Sequence, residues 1–430
     1  MASKGDIDKF EIQPNLPERW ASIPFKQGLK KTGTFTKLKS NEYLIEGLYP
    51  VIDQGEKFIS GFINDQNLIY KGDFPVVIFG DHTRVIKYVD FEFAAGADGT
   101  KILKSFDEVD DRFFYYYLRT LQIPSFGYSR HYKVFEFLDL PIPPLPEQKR
   151  IVAKLDAIFG HLDTLKTKLD NIPELLKNFR QQVLTQAVTG KLTEEWREGK
   201  GLGEWEEGIL DSVGKVTGGL TLNSKRKNLE IQKPYLRVAN VYANKLLLDE
   251  IKLIGATNKE IERTQLKKGD LLIVEGNGSP TQIGRVAQWN EEIEECLHQN
   301  HLIKFRANNL SDAKYVLFFL LSPIGRSQIE NISKSTSGLY TLSISKISNL
   351  IINIPTLEEQ QEVVAQVKEL FALADKIESQ YQSLKTKIDK LPQAILNKAF
   401  KGDLVSQDSN DEPESELLKR IQKEKAKKGK

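Results

Sequence analysis

The 430-residue chain holds a single cysteine, Cys296, so it can form no internal disulfide, and a disulfide-stapled secreted fold is excluded. Charge of one sign is not in excess: the formal net charge is only +2, which excludes a histone-like polycation but not local basic patches. Long apolar runs are missing. The longest, Tyr315 to Leu321, is far short of a bilayer span. The first residues, Met1 to Gln13, are charged and lack the apolar stretch of a signal peptide, so a cytoplasmic protein is expected. Several catalytic signatures are also missing. There is no Gly-x-x-x-x-Gly-Lys-[Ser/Thr] loop for ATP, no third glycine after Gly276-x-Gly278 for a dinucleotide, and no Asn/Asp-Pro-Pro-aromatic tetrapeptide for a flipped base. Five scattered histidines give no Ser/His/Asp arrangement. Cys296-x-His298-x-x-His301 has soft ligands but no fourth, and it reads better as a strand than as a metal site.

What is present is a repeat. Leu145-Pro146-Glu147-Gln148 returns as Leu357-Glu358-Glu359-Gln360, 212 residues on, and Phe159, Asp163, Ala187, Gly190 and Leu192 return at the same offset. Earlier parts align at shorter offsets: Trp20 with Trp205 at 185, and Lys71-Gly72-Asp73 with Lys268-Gly269-Asp270 at 197. One kind of segment therefore tolerates insertions and the other does not. The chain divides into globular segments at 13–140 and 203–353, helical segments at 141–197 and 354–405, and a charged tail at 406–430 expected to be flexible. The stretch from Glu198 to Gly203 reads as a linker.

The helical segments carry apolar residues at alternating spacings of four and three. The first series includes Ile151, Leu155, Ile158, Leu162 and Leu165, and the second Val363, Val367, Leu370, Ala374 and Ile377. That 3.5-residue period predicts a coiled-coil seam, and the two series are expected to pair antiparallel, with the globular segments at opposite ends of a rod. Pro173 and Pro392 are expected to kink or split their helices. Phe159 and Phe371 widen the stripe beside the seam, which predicts further helices from another subunit.

The globular segments mix short strands (42–44, 75–79, 271–275, 301–305) with a helix at 312–321, an α+β or mixed α/β pattern. Between Lys215 and Lys245 seven basic residues face only Glu230, and Lys26, Lys30, Lys31, Lys37 and Lys39 face only Glu42 and Glu46. Polar, glycine-bearing loops follow the central strands at 80–84 and 276–281, and others precede the helical segments at 125–131 and 335–341. Such loops suit phosphates and base edges. Two reader-like units on a rod of fixed length suit a duplex with two half-sites.

With these pieces in place, the chain resembles the specificity subunit of type I restriction–modification systems, and its IA branch most. Ile142-Pro143-Pro144-Leu145-Pro146-Glu147-Gln148, Ile172-Pro173-Glu174-Leu175-Leu176, Ala187-Val188-Thr189-Gly190-Lys191-Leu192-Thr193-Glu194-Glu195-Trp196-Arg197 and Ala399-Phe400-Lys401-Gly402-Asp403-Leu404 carry the resemblance, which covers nearly the whole chain. The second block lacks the Thr-Glu-Glu-Trp-Arg ending of the first. The resemblance implies two target recognition domains joined by two long antiparallel helices. Each domain would read half of a bipartite site in double-stranded DNA. Two methyltransferase subunits using S-adenosylmethionine would dock on the helices, and motor/endonuclease subunits using ATP and Mg would complete the assembly. This chain would itself bind no cofactor and catalyse nothing. Seam and docking residues would be Ile151, Leu155, Ile158, Phe159, Leu162, Val363, Val367, Leu370, Phe371 and Ile377. Base or backbone contacts are expected from Arg84, Arg130, Asn277, Ser279, Arg285, Ser337 and Tyr340, and phosphate contacts from Lys30, Lys31, Lys225, Arg226 and Lys227. Two other classes fit the pattern less well: a coiled-coil adaptor without DNA specificity, and a metal-dependent nuclease.

Overall fold

The computed structural model describes residues 16–428 apart from 34, 97, 126, 128–129, 278, 280–281 and 334–339. The chain forms two compact units. The first takes the residues up to Leu169 together with those from Ser383 onward, and the second takes Asp170–Gln382. Each unit holds one globular segment and parts of the helical segments.

The first unit opens with β1 (Ala21–Pro24), followed by β2 (Tyr49–Ile52), β3 (Gly61–Ile63), β4 (Val76–Gly80), β5 (Ile86–Val89), β6 (Ala94–Ala95) and β7 (Thr100–Leu103). Helix α1 (Asp111–Thr120), β8 (Asp139–Ile142) and α2 (Leu145–Asp170) complete its first part. β4 lies between β5 and β7, antiparallel to both. Every residue of β4 is buried. Val77 and Phe79 enter a core with α1, while Val76 and Ile78 enter a second core with Ile52 and Phe93. A strand covered on both faces reads as a continuous apolar run, which is why this one is visible in the sequence. A smaller sheet places β2 between antiparallel β3 and parallel β6. β1 pairs with β8, so the first and last strands of the segment close on each other.

The second unit begins with α3 (Ile172–Val188) and α4 (Glu194–Lys200), the latter ended by Gly201 at φ +66°. Its strands repeat the first unit. β9 (Glu206–Ile209) pairs with β21 (Ile351–Ile354). β15 (Leu271–Val274) lies between β17 (Val286–Gln288) and β19 (Leu302–Ala307), with β10 (Gly214–Gly218) added beyond β19. β11 (Gln232–Leu236) lies between antiparallel β14 (Lys252–Gly255) and parallel β18 (Leu297–His298). Two hairpin partners, β12 (Val241–Tyr242) and β13 (Lys245–Leu246), and a pair formed by β16 (Gly276–Asn277) and β20 (Tyr340–Thr341), have no named counterpart among the described residues of the first unit. Its helices are α5 (Asn258–Thr264), α6 (Ala313–Leu321), α7 (Pro323–Ser333) and α8 (Ile344–Ser348). The long α9 (Leu357–Phe400) starts in this unit and ends in the first, where α10 (Glu414–Lys428) follows.

The helical segments pair antiparallel. In the first unit Lys166 lies 4.0 Å from Asp389, while the earlier residues Ile151 and Leu155 share a core with the later Leu396 and Phe400. In the second unit Arg180 bridges Asp375 and Glu378 at 2.7 Å each, and Thr193 reaches Glu359. Pro173 sits in the first turn of α3, so the first series is an end-to-end pair of helices, whereas α9 runs on through Pro392.

Four expectations need correction. First, the alternating seam is one-sided. Leu155, Leu162, Leu169, Leu176 and Val183 are buried, as are Val367, Ala374, Tyr381 and Ile388, while Ile158 and Leu370 are half-buried and Ile377 is 40% exposed. One heptad column packs throughout, while the other is buried only where it meets a globular core, at Ile151 and Val363, and opens to solvent further along, at Leu165, Ile377 and Leu384. Second, the extra flank needs no second subunit: Phe159 packs on Tyr116 of α1, and Phe371 on Phe318 of α6. Third, residues 42–44 form no strand beyond a single antiparallel bridge between Leu44 and Phe62. Ser40–Glu42 is a 3-10 turn in which the Glu42 carboxylate accepts from the Lys39 N–H, a local bond that competes with sheet pairing. Fourth, the tail is docked. Asp411 pairs with Arg150 at 2.7 Å, and Leu417 and Ile421 are buried in the first unit's core.

Candidate nucleic-acid interface

In the first unit, the tight turn after β4 is set by two backbone bonds, Gly80 N–H to Val85 and Arg84 N–H to Gly80, and it forces Arg84 to φ +65°. A non-glycine residue adopts that left-handed conformation only when its surroundings fix it. They do so here. Asp81 is buried, accepts from the Tyr132 N–H at 2.7 Å, and through its own carbonyl accepts from the backbone and Nδ1 of buried His131. The Arg84 guanidinium donates to the Ile123 carbonyl at 2.9 Å. The turn at 80–84 thus meets the chain at Ile123 and again at His131 and Tyr132. Arg84 and Arg130 are both exposed, and Arg130 directly precedes the His131 that is bonded to this turn.

The second unit makes the corresponding junction with strands. β16 pairs with β20, matching Asn277 with Tyr340, and the Leu342 N–H donates to Glu275 at 2.7 Å. The Ser279 carbonyl accepts from the Gln282 and Ile283 N–H groups, turning the loop back toward β17. Arg285 lays its guanidinium over the Tyr242 ring, 4.8 Å from the centroid, and holds Gln282 at 3.3 Å. Asn277, Ser279, Arg285 and Tyr340 are therefore neighbours. Ser337 lies outside the described residues.

The phosphate candidates separate into two kinds. Lys31, Lys225 and Lys227 are exposed. Lys30 and Arg226 are not available in the way expected. The Lys30 amine pairs with Asp107. Arg226 forms a bidentate pair with Glu260 at 2.8 and 3.2 Å and donates to the carbonyls of Thr221 and Gly255. Its own carbonyl presses so close to β14 that a Cβ on Gly255 would meet it at 1.9 Å. Arg226 is thus the peg that fixes the short 3-10 turn Ser224–Asn228, and Lys225 and Lys227 are what that turn presents. The guanidinium, together with the Thr257 N–H at the start of α5, holds the Glu260 carboxyl down at about 2.

Two residues to which the sequence alone assigns no role are central to this geometry. The Gln148 amide accepts from the Asp110 N–H at 2.8 Å and donates to the Glu108 and Pro143 carbonyls. Gln360 accepts from the Asp312 N–H at 2.8 Å and donates to the Leu310 and Pro355 carbonyls. Each glutamine ties its spacer helix to the N-cap of the helix that packs beneath the central sheet. The repeat at offset 212 is their signal in the sequence. The neighbouring glutamates differ. Buried Glu147 accepts from the Trp20 indole at 3.0 Å, and burial raises its carboxyl above the usual range. Glu359 accepts instead from Thr193 and Arg197, the first unit having no copy of that block.

The Cys296–His301 stretch is built as packed polypeptide. Cys296 is buried and burial pushes its thiol up to about 12, while His298 is held neutral by burial with its Nδ1–H on the Thr264 carbonyl. His301 lies exposed against Glu275. No cluster of His, Cys, Asp or Glu that could hold a metal occurs among the described residues, and none of the described helices is long and apolar enough to cross a membrane.

These features agree with comparisons to known proteins. The family model for the type I restriction modification DNA specificity domain matches the chain twice, at residues 17–174 and 203–386. The specificity subunit of the type I restriction enzyme EcoKI of Escherichia coli K12 is 33% identical over 310 residues, which cover 69% of this chain and 66% of that protein. The StySPI specificity subunit of Salmonella potsdam is 32% identical over 304 residues, covering 68% of this chain and 65% of that protein. The matched region thus spans just under two thirds of either relative. The EcoBI specificity subunit of Escherichia coli is 28% identical over 405 residues, covering 86% and 84%. The fold is that of the HsdS subunit from Thermoanaerobacter tengcongensis, with a TM-score of 0.58 at 18% identity, covering 90% of this chain and 98% of that one. Two matched domains, at the positions where the repeat places its globular units, make this chain a member of the type I restriction modification DNA specificity domain family.

Proposed function

We propose that the chain is the specificity subunit of a type I restriction–modification complex, a cytoplasmic reader of double-stranded DNA without catalytic residues of its own. The observation that carries this reading is the doubled junction: in both units the loop after the central strand meets the segment before the closing strand, and each junction carries arginine or asparagine. Such groups, carried on loops anchored to the central strands, suit base edges, and exposed Lys31, Lys225 and Lys227 suit phosphates. Each unit reads one half of a bipartite site, and the paired helices set the unread spacer. The outward heptad column, with Ile158, Leu165, Ile377 and Leu384, docks two methyltransferase subunits. Those partners use S-adenosylmethionine, and motor/endonuclease subunits use ATP and Mg. The test is a genome-wide adenine methylation map of the source cell with and without this gene. Loss of one bipartite motif on deletion is the expected result. An unchanged map in a cell whose partner subunits are expressed contradicts the reading.

A further inference from the structure

The small sheets of the two units correspond strand for strand. β2 and β11 are the middle strands, each with an antiparallel neighbour on one side and a parallel one on the other. The connection leaving each middle strand also corresponds, although the sequences do not. In the first unit residues 53–60 join β2 to β3, and in the second residues 237–251 join β11 to β14 and contain the β12–β13 hairpin.

Both connections are braced against the strand that comes after the candidate DNA loop. In the first unit that strand is β5. The amine of its buried Lys87 donates to the carbonyls of Asp53 and Phe58 at 2.9 and 3.4 Å and to that of Lys57. Burial lowers this amine below the ordinary lysine range. Burying an ammonium is costly unless it is paired, and here the Asp53 carboxylate at 3.9 Å and three carbonyls of one loop offset that cost, so the amine holds the loop to β5. In the second unit the strand is β17, and the Asn244 N–H donates to the Val286 carbonyl at 2.8 Å, with Asn244 itself at φ +54° in the two-residue turn.

Each braced connection also reaches the candidate DNA loop. Thr83 Oγ1 donates to the Gln54 carbonyl and the His82 N–H to the Gln54 amide oxygen, so 53–60 abuts the Arg84 turn. Arg285 stacks on Tyr242. Each connection then turns one aromatic ring outward: Phe58 is 46% exposed and Tyr242 43% exposed. Phe58 packs edge-on against Phe91, with ring centroids 6.1 Å apart, and Tyr242 lies under Arg285, so each ring is held by a neighbour yet still part-open to solvent on the connection leaving its middle strand, which suits apolar contact with a base or a thymine methyl.

Resting on the function proposed above, we propose that Phe58 and Tyr242 are repeat-related base contacts, one in each unit, carried on the connections that abut the Arg84 turn and Arg285. The occupant is duplex DNA. The test is selection from a pool of randomised duplexes by the full chain, comparing wild type with Phe58→Ala and Tyr242→Ala. Phe58→Leu and Tyr242→Phe, together with melting temperatures, verify that each unit stays folded. Each alanine variant is expected to lose base preference at adjacent positions of one half-motif and keep the other half. Affinity for the selected duplex should fall about tenfold or more, with binding to random duplex unchanged. Equal losses on selected and random DNA, or no change in a folded variant, overturn the inference. So does a variant that keeps its motif and loses only assembly with another protein chain. A wild-type chain that enriches no sequence overturns the underlying reading as well, so the two failures are distinguishable.

Discussion

Arg226 shows how far residue type can mislead. Three adjacent cations, Lys225 to Lys227, look alike in sequence, and only the middle one is turned inward onto Glu260. The sequence does hold a hint: Thr257-x-x-Glu260 is a capping box, which fixes that carboxylate at the start of α5, where a cation can reach it. The two kinds of cation should differ in salt dependence. Replacing Lys225 or Lys227 with Ala should lower the slope of log binding constant against log salt by about 1 for each phosphate contact removed. Arg226→Ala should instead weaken binding by loosening the turn and leave the slope nearly as it was. Equilibrium binding to one duplex at several salt concentrations checks both. The same clasp has a pH signature. The folded Glu260 carboxyl, at about 2, lies below its ordinary value of 4.5. Its contribution to stability is therefore complete above pH 4.5 and is lost as pH falls from there toward 2. The melting-temperature gap between wild type and Glu260→Gln should shrink between pH 6 and pH 3.

Among the elements, the helices are legible in the sequence and the connections are not. Heptad spacing marks α2, α3 and α9, and the apolar run marks β4 and β15, because burial on one or two faces writes a period into the sequence. Two-residue strands such as β6 and β16 carry no period, and the β16–β20 pairing joins residues more than sixty positions apart. The outward heptad column is legible only as apolarity, since spacing alone does not say how many partners a helix has. Gln148 and Gln360 lie between these extremes, visible as a repeat but silent about their bonds. Each accepts one backbone N–H and supports two carbonyls. Gln148→Ala should therefore destabilise the first unit, and Gln360→Ala the second, by about 1–2 kcal/mol through the part-buried N–H left unpaired and the two carbonyls left without their donor. Chemical denaturation followed by hydrogen exchange in each unit measures this. A loss confined to the mutated unit is the expected result.

On the scale of the whole molecule, a near-neutral total charge hides basic loops at separate places, which is why composition excludes so little and the repeat reveals so much. The first unit is discontinuous in sequence: its core needs Leu396, Phe400, Leu417 and Ile421 as well as Trp20 and Phe25. The second unit is continuous from Asp170 to Gln382. During synthesis the order of completion therefore runs against the order of the chain. The unit that begins first must wait, with Phe25, Phe79, Phe113 and Phe114 lacking their final cover, until Ile421 has left the ribosome. At roughly 5–20 residues per second, the delay after Gln382 emerges is on the order of 2–8 seconds. Ribosome-arrested chains exposing residues up to Gln382 should be protected from protease across 203–353 and cut within 16–140, and chains exposing Ile421 should be protected in both. An aromatic core left open for that interval is exposed to misassociation, and α10, by laying Leu417 and Ile421 into that core, ends the exposure.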